Sequence, residues 1–379
     1  MKLLWVTAKR LGTDLASTTQ LAVTNSLTQR GWKVTIVAPQ RNPSQDNSLT
    51  KEAEKEISNG GHSFFGVKRS HKPGLGWLTF GRDLKKKLPA IVNDGDFDVA
   101  LVEWQAVAGS HKVLVQSNVP WLIVDRSPPV FRSLAGRLQW FEYRRAYKLA
   151  STKGAVGSVP KSHALADWNR QHKRIVEPII ILEAGVDVSM FKPSNFTGVP
   201  TIVHHGQLDQ EREIMRLVDI GSVIAARGID FKMRIAGTGN RLTELQKTAT
   251  QHDWLEVLGP LPSDQIPEFL ATGHVAIFPL PDDEIWRLSS PLKVREWAAA
   301  GLPMVLSNIT PHKSIGEKNW VRLVDVNAPF DDWANQVEEL LKADLVSIGR
   351  EARNDAEREF DWQQTTESLH LKLTELAGL

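Results

Sequence analysis

Ser289-Ser290-Pro291-Leu292-Lys293-Val294-Arg295-Glu296-Trp297-Ala298-Ala299-Ala300-Gly301-Leu302-Pro303-Met304-Val305 is the stretch from which the rest of the chain is read. Two serines stand just ahead of a helix-like run. Lys293 and Glu296, three residues apart, fall on one helical face. Ala298 to Ala300 allow close packing, and Gly301-Leu302-Pro303 ends the helix before an apolar strand. A helix N-terminus with hydroxyls and a lysine beside it suits a phosphate, and a carboxylate one turn further in suits a sugar diol. The same spacing fits an ordinary amphipathic helix with a Lys/Glu pair.

Composition sets the frame around that stretch. A chain of 379 residues has room for two domains, and 41% hydrophobic with 24% charged residues describes a globular protein with a sizeable core. The formal charge of +2 gives no argument for nucleic acid as a partner. Absence of cysteine excludes disulfides, thiolate metal sites and thiol nucleophiles. No apolar run reaches a membrane span, and Met1 to Val6 reads as a first strand rather than a signal peptide. A cytoplasmic protein is therefore expected, in which Asn195-Phe196-Thr197 and Asn308-Ile309-Thr310 are chance tripeptides.

From the N-terminus, Lys2 to Thr7 reads as a buried strand, Gly12, Thr13 and Asp14 as a loop, and residues 18–30 as a helix closed by Gly31. Val34 to Pro39 follows as a second strand. Strand, loop, helix, strand is a parallel βαβ unit, the start of a doubly wound sheet. Residues 40–61 form a polar excursion. Residues 77–91 predict a helix with Arg82, Lys85, Lys86 and Lys87 beside Trp77, Leu78 and Phe80. Such a basic, aromatic face fits either an anionic bilayer or plain solvent.

Two strands then end in carboxylates, residues 96–104 carrying Glu103 and residues 120–126 carrying Asp125. In open α/β sheets the carboxyl ends of strands open onto the ligand crevice, so Glu103 and Asp125 are candidates for acceptor activation or sugar contact. Asp125 equally fits a pair with Arg126 or a cap on the next segment. Residues 139–148 predict a strongly basic helix. The alternation restarts at Thr201, with Thr201 to Gly206 and Phe231 to Ala236 as strands leading into Gly206-Gln207 and Gly237-Thr238-Gly239. No Asp-x-Asp stands at a strand end, so no metal site is expected.

The donor-helix stretch resembles the signature of group 1 glycosyltransferases with the GT-B fold, which are retaining, family 4-like enzymes. Glu183-Ala184-Gly185-Val186-Asp187 through Phe191-Lys192-Pro193 resembles the passage that joins the two domains of that class, and Leu27 to Val34 its first helix end and second strand. The resemblance spans nearly the whole chain. It implies two Rossmann-like doubly wound parallel-sheet domains facing across a cleft: residues 1–185 on the acceptor side, 186–358 on the donor side, and 359–379 crossing back. It implies transfer of a sugar from a nucleotide-sugar to a hydroxyl acceptor, glycan or lipid-linked, without cofactor or metal. Donor contacts would come from Gly206, Gln207, Arg212, Gly237, Ser289, Ser290, Lys293 and Glu296, and the acceptor side from Gly12, Thr13 and Asp14. Basic aromatic helices would allow peripheral contact with the inner face of a membrane.

Departures from the pattern are as informative. Gln207 stands where relatives often have arginine, leaving Arg212 and Lys293 to supply phosphate-binding charge. Leu288 stands at the first of two glutamates that the class separates by seven residues; Glu284 or Asp283 would have to substitute from the same loop. A GT-B nucleotide-sugar epimerase and a non-catalytic nucleotide-sugar-binding subunit are the alternatives to a transferase.

Overall fold

The computed structural model describes residues 1–11, 16–40, 59–70, 76–129 and 134–378. The chain divides into two compact units, the first made of Met1–Glu183 with Thr365–Leu379 and the second of Ala184–Gln364.

In the first unit the strands are β1 (Lys2–Val6), β2 (Lys33–Pro39), β3 (Ser63–Val67), β4 (Val99–Glu103), β5 (Trp121–Asp125) and β6 (Ala155–Pro160). They form a six-stranded sheet in the order β3-β2-β1-β4-β5-β6, with every pairing parallel. The interior strands β4 and β5 are buried at every position, which is why they read as unbroken apolar runs. The edge strand β3 alternates exposed and partly buried residues.

Helices Ala16–Gln29, Gly76–Gly95, Trp104–Gln116, Leu134–Thr152 and His163–Gln171 cross between these strands. The helix from Gly76 runs through Pro89 and ends beyond the boundary expected at residue 91. The C-terminal helix Glu367–Leu376 also belongs to this unit: Ser26 and Thr366 hydroxyls lie 2.7 Å apart, and the Trp32 indole donates to His370 Nδ1 at 3.1 Å.

The second unit repeats the plan. Its strands are β7 (Thr201–Gln207), β8 (Lys232–Thr238), β9 (Leu255–Gly259), β10 (Val275–Phe278), β11 (Met304–Ser307) and β12 (Val321–Val324), in the order β12-β11-β10-β7-β8-β9. Alternation along the strands feeds two cores. Val203, Ala236, Ala276 and Phe278 pack on one face with Trp297 and Met304, while Ile202, Ile235, Val275 and Ile277 pack on the other with Met233 and Trp333. Each fully buried aliphatic or aromatic side chain stabilises the fold by about 1.5–3 kcal/mol. The segment after Glu183 is tied down by Val186, which pairs with Asp361 and receives the Trp362 amide on its carbonyl. In both units the strand order reverses beside the first strand, between β1 and β4 and between β7 and β10, where such sheets bind ligands.

Candidate functional site

At the reversal in the second unit, Gly206 near the end of β7 lies beside Gly237 near the end of β8. Gly206 has φ +121°, and a Cβ built there would sit 2.8 Å from Lys293 Nζ. Gly237 has φ +150°, and its Cβ would lie 1.8 Å from the Gly206 carbonyl oxygen. Only glycine allows the two backbones to approach and leaves a space for the lysine head.

Lys293 enters that space from the helix Leu292–Ala299, whose N-terminus has no side-chain cap. Its Nζ lies 4.2 Å from the centre of the Phe278 ring at the end of β10. The ammonium is buried without a hydrogen-bond partner among the described residues. Burial and the nearby Arg212 push its pKa well below the usual lysine range, while Glu296 opposes the shift. Next to it, His204 donates from Nδ1 to the Ile277 carbonyl at 2.8 Å, and its Nε2 is also buried without a partner. Burial and repulsion from Lys293 hold that ring well below its ordinary pKa, so it stays neutral and offers no counter-charge.

Glu296 lies one turn along, held from behind. The Trp297 indole N–H donates to His205 Nδ1 at 3.0 Å, so the ring hydrogen is on Nε2 and points at Glu296 Oε2, 2.8 Å away. This Trp297–His205–Glu296 chain fixes the carboxylate and leaves Oε1 for another donor; the side chain is 21% exposed. On the other side, the Arg212 guanidinium stacks over Trp286 at 4.3 Å, and Trp286 donates to the Glu211 carbonyl at 3.3 Å. Arg212 and Lys293 thus sit within electrostatic reach of each other, with Glu296 supporting the lysine charge and Asp209 that of Arg212.

The remaining expected donor residues have more specific tasks. Ser289 donates its hydroxyl to the Trp286 carbonyl at 2.7 Å, and Ser290 Oγ accepts the Ala184 amide at 3.0 Å. Both hydroxyls therefore hold the loop in shape. Gln207 closes β7, level with Thr238. Leu288 is 5% exposed and buried as an apolar side chain. Glu284 begins the short helix Glu284–Arg287, with Asp283 just before it, and both are exposed.

In the first unit, Asp125, expected as a candidate for acceptor activation, lies inside the core. It is 0% exposed, and its Oδ2 accepts from Tyr143 at 2.5 Å, Tyr147 at 2.7 Å and Asn169 at 2.9 Å. Burial, then the charge of Asp125, raises both tyrosine pKa values, keeping the hydroxyls as donors. A carboxylate enclosed in this way organises a core. The alternative pairing with Arg126 is electrostatic only. Glu103, at the end of β4, is 3% exposed and also supports the Arg126 charge. The residues expected on the acceptor side, Gly12, Thr13 and Asp14, lie outside the described residues, as does most of the polar excursion.

His205, Phe278, Trp286 and Trp297 were not singled out from sequence. A signal existed for His205, a polar residue next to Gly206 at the carboxyl end of a strand. None existed for Phe278 or Trp297, since an aromatic in an apolar run is ordinarily core. Among the described residues no three His, Asp or Glu side chains gather as metal ligands, and no helix is long and apolar enough to cross a membrane.

Known proteins give this geometry its setting. Residues 199–343 match the family model Glycosyl transferases group 1. EpsF of Bacillus subtilis (strain 168), a glycosyltransferase by assignment, is 22% identical over 241 residues. That match takes in 57% of this chain and 60% of EpsF. Sucrose-phosphate synthase from Thermosynechococcus elongatus has a similar structure, with TM-score 0.72 and 15% identity over 99% of this chain and 98% of its own. Anabaena HepE, solved with UDP, gives TM-score 0.75 and 15% identity over 99% and 100% of the two chains. At these identities the structural likeness establishes the two-domain GT-B fold. The match to the group 1 glycosyl transferase model lies within the second unit and takes in the Lys293–Glu296 helix.

Proposed function

We propose that the protein transfers a sugar from a nucleotide-sugar donor to a hydroxyl of a glycan or lipid-linked acceptor, with retention of configuration and without a metal. The carrying observation is the buried, unpartnered ammonium of Lys293 at the strand-order reversal of the second unit. A lysine head shut away from water with no hydrogen-bond partner is unfavourable unless an anion completes the site. A donor diphosphate would meet Lys293 and Arg212 and regain for the lysine its full charge. Glu296 Oε1 would accept from ribose hydroxyls, held in place by His205 and Trp297. Support for a diphosphate comes also from HepE, whose structures hold UDP and UDP-glucose.

In the reaction the acceptor oxygen attacks the anomeric carbon as its bond to the diphosphate breaks. The hydroxyl proton passes to the departing phosphate oxygen on the same face. Lys293 and Arg212 stabilise the charge that develops on the leaving group. A lipid-linked acceptor is supported by the first unit's exposed apolar side chains, Leu138 and Phe141 among Arg137, Arg144, Arg145 and Lys148 on one helix. Trp77 and Leu78 lie near Arg82, Lys85 and Lys86 on another.

The test is thermal stabilisation by UDP, GDP, ADP and their sugars, in wild type and Glu296→Ala, followed by turnover of the stabilising donor. A shift with one nucleotide, lost in the variant, and a product whose anomeric configuration by NMR matches the donor's, is the expected result. No shift with any nucleotide overturns the reading. A bound donor that is never consumed marks a non-catalytic subunit, and one converted to its epimer marks an epimerase.

A further inference from the structure

Beyond the donor site, the first unit holds cations that neither its fold nor the steps above require. Asp125 and Pro160 are register partners at the ends of β5 and β6, so Arg126 and Lys161 are the first residues beyond two adjacent strands. The Lys161 amide donates to the Asp125 carbonyl at 3.0 Å, fixing the backbone there. Lys161, Arg126 and Lys9 are each partly buried, and Lys161 feels the charge of both other cations.

Asp125 Oδ1 is buried without a hydrogen-bond partner among the described residues, and its charge acts on both Lys161 and Arg126. Glu103 also acts on Arg126, so two carboxylates face three cations. Asp125 Oδ2 is surrounded by Tyr143, Tyr147 and Asn169, and Glu103 lies against Arg126. Arg126 makes one long contact, to the Leu182 carbonyl at 3.3 Å. The side chains of Lys9 and Lys161 make no ion pair or hydrogen bond among the described residues. Burial, then Arg126, lowers the Lys161 pKa to about 8, so the site holds a charge it does not neutralise. The helix His163–Gln171 starts two residues later, adding its positive N-terminal end to the same edge.

We propose, on the transferase reading above, that the acceptor carries a phosphate group and that Lys161 and Arg126 bind it at the carboxyl ends of β5 and β6, with Lys9 adding long-range charge. A planar guanidinium and a mobile ammonium side by side are the donors that a tetrahedral phosphate uses best. The cluster belongs to the first unit, at the ends of the two strands beyond β4, and Lys293 belongs to the second.

The experiment uses the full chain in three forms: wild type, Lys293→Met and the double variant Lys293→Met/Lys161→Met. Each is titrated with inorganic phosphate, glycerol 3-phosphate and glucuronate while melting is followed. Lys293→Met removes the donor lysine, so phosphate stabilisation that remains in it reports the first unit. The expected result is stabilisation by both phosphates in Lys293→Met, weakened at least about tenfold in apparent affinity in the double variant. Stabilisation equal in those two forms, absent from both, or as strong with glucuronate overturns the inference. Lys161→Met alone is then titrated with UDP. An unchanged UDP shift is expected, and its loss would assign the cluster to the donor instead. Failure of the transferase reading shows separately, as absence of a UDP, GDP or ADP shift in wild type.

Discussion

The two units share one strand order, yet they handle charge at their strand ends differently. In the second, Lys293, Arg212 and Glu296 converge on the reversal between β7 and β10, and the carboxylate is anchored by a neutral histidine and an indole. In the first, Glu103 and Asp125 stand at the ends of β4 and β5 and are buried, while Lys9, Arg126 and Lys161 are partly buried. Burial separates the two carboxylates. Asp125 is 0% exposed, its Oδ2 taken by three donors and its Oδ1 shut in without a partner among the described residues. The Glu296 side chain on its helix is 21% exposed, with one histidine on Oε2.

Several substitutions would sharpen or break that contrast. The largest effect is expected for Lys293→Met and for Glu296→Ala, with transfer falling about 10²–10³-fold and the nucleotide-dependent melting shift abolished. Turnover and calorimetric titration check both. If Glu296→Ala keeps the shift while His205→Ala loses it, the anchored carboxylate is not the sugar-facing group.

Next in size are the changes to the folds themselves. Gly237→Ala forces a methyl against the Gly206 carbonyl at 1.8 Å and should cost about 3–4 kcal/mol in urea unfolding. Asp125→Ala leaves the Tyr147 hydroxyl hydrogen without its acceptor, while Tyr143 keeps Asn169 Oδ1 and the Asn169 amide keeps Tyr147. It should cost about 1–3 kcal/mol. An acceptor-activating role would instead predict loss of turnover at unchanged stability, so the pair of measurements separates the two readings of Asp125.

A smaller effect with a distinctive sign is expected at Lys161. Its folded pKa of about 8 lies below the usual 10.5. Below pH 8 both states are protonated and the folded state carries the unfavourable charge. Between about 8 and 10.5 the unfolded chain binds more protons, so stability should rise with pH. Lys161→Met should remove that rise and stabilise the protein at pH 7, in denaturant titrations across that range. Arg126 and Lys9 add to the unfavourable charge, and Asp125 opposes it. The same cluster should lose phosphate affinity as pH rises through 8. The smallest change is expected for Phe141→Ser with Arg144→Ser and Arg145→Ser. Stability should stay within about 0.5 kcal/mol, while binding to anionic vesicles falls by about 1 kcal/mol per basic residue removed.

Much of the second unit's site was legible because its parts are near in sequence. Lys293 and Glu296 share one helix, and Gly206 and Gly237 end consecutive strands, so helical periodicity and turn chemistry place them without long-range information. The alternation of apolar strand and helix likewise gave two doubly wound units. What periodicity cannot supply is the environment of a polar group. That Ser290 holds Ala184, that His205 links Trp297 to Glu296, and that Lys293 rests on Phe278 all depend on contacts between separate elements.

From the amino-acid order alone came the parallel α/β plan, the glycines where backbones must approach, and the lysine and glutamate on one helical turn. These follow from local sterics and from which faces must be buried. Only the tertiary structure decided which strand-end charges are neutralised. Asp125 is enclosed by residues 143, 147 and 169, whereas Arg126 and Lys161 become neighbours through the register of β5 and β6. Electrostatic energy depends on distance and burial, and neither is written in the order of residues.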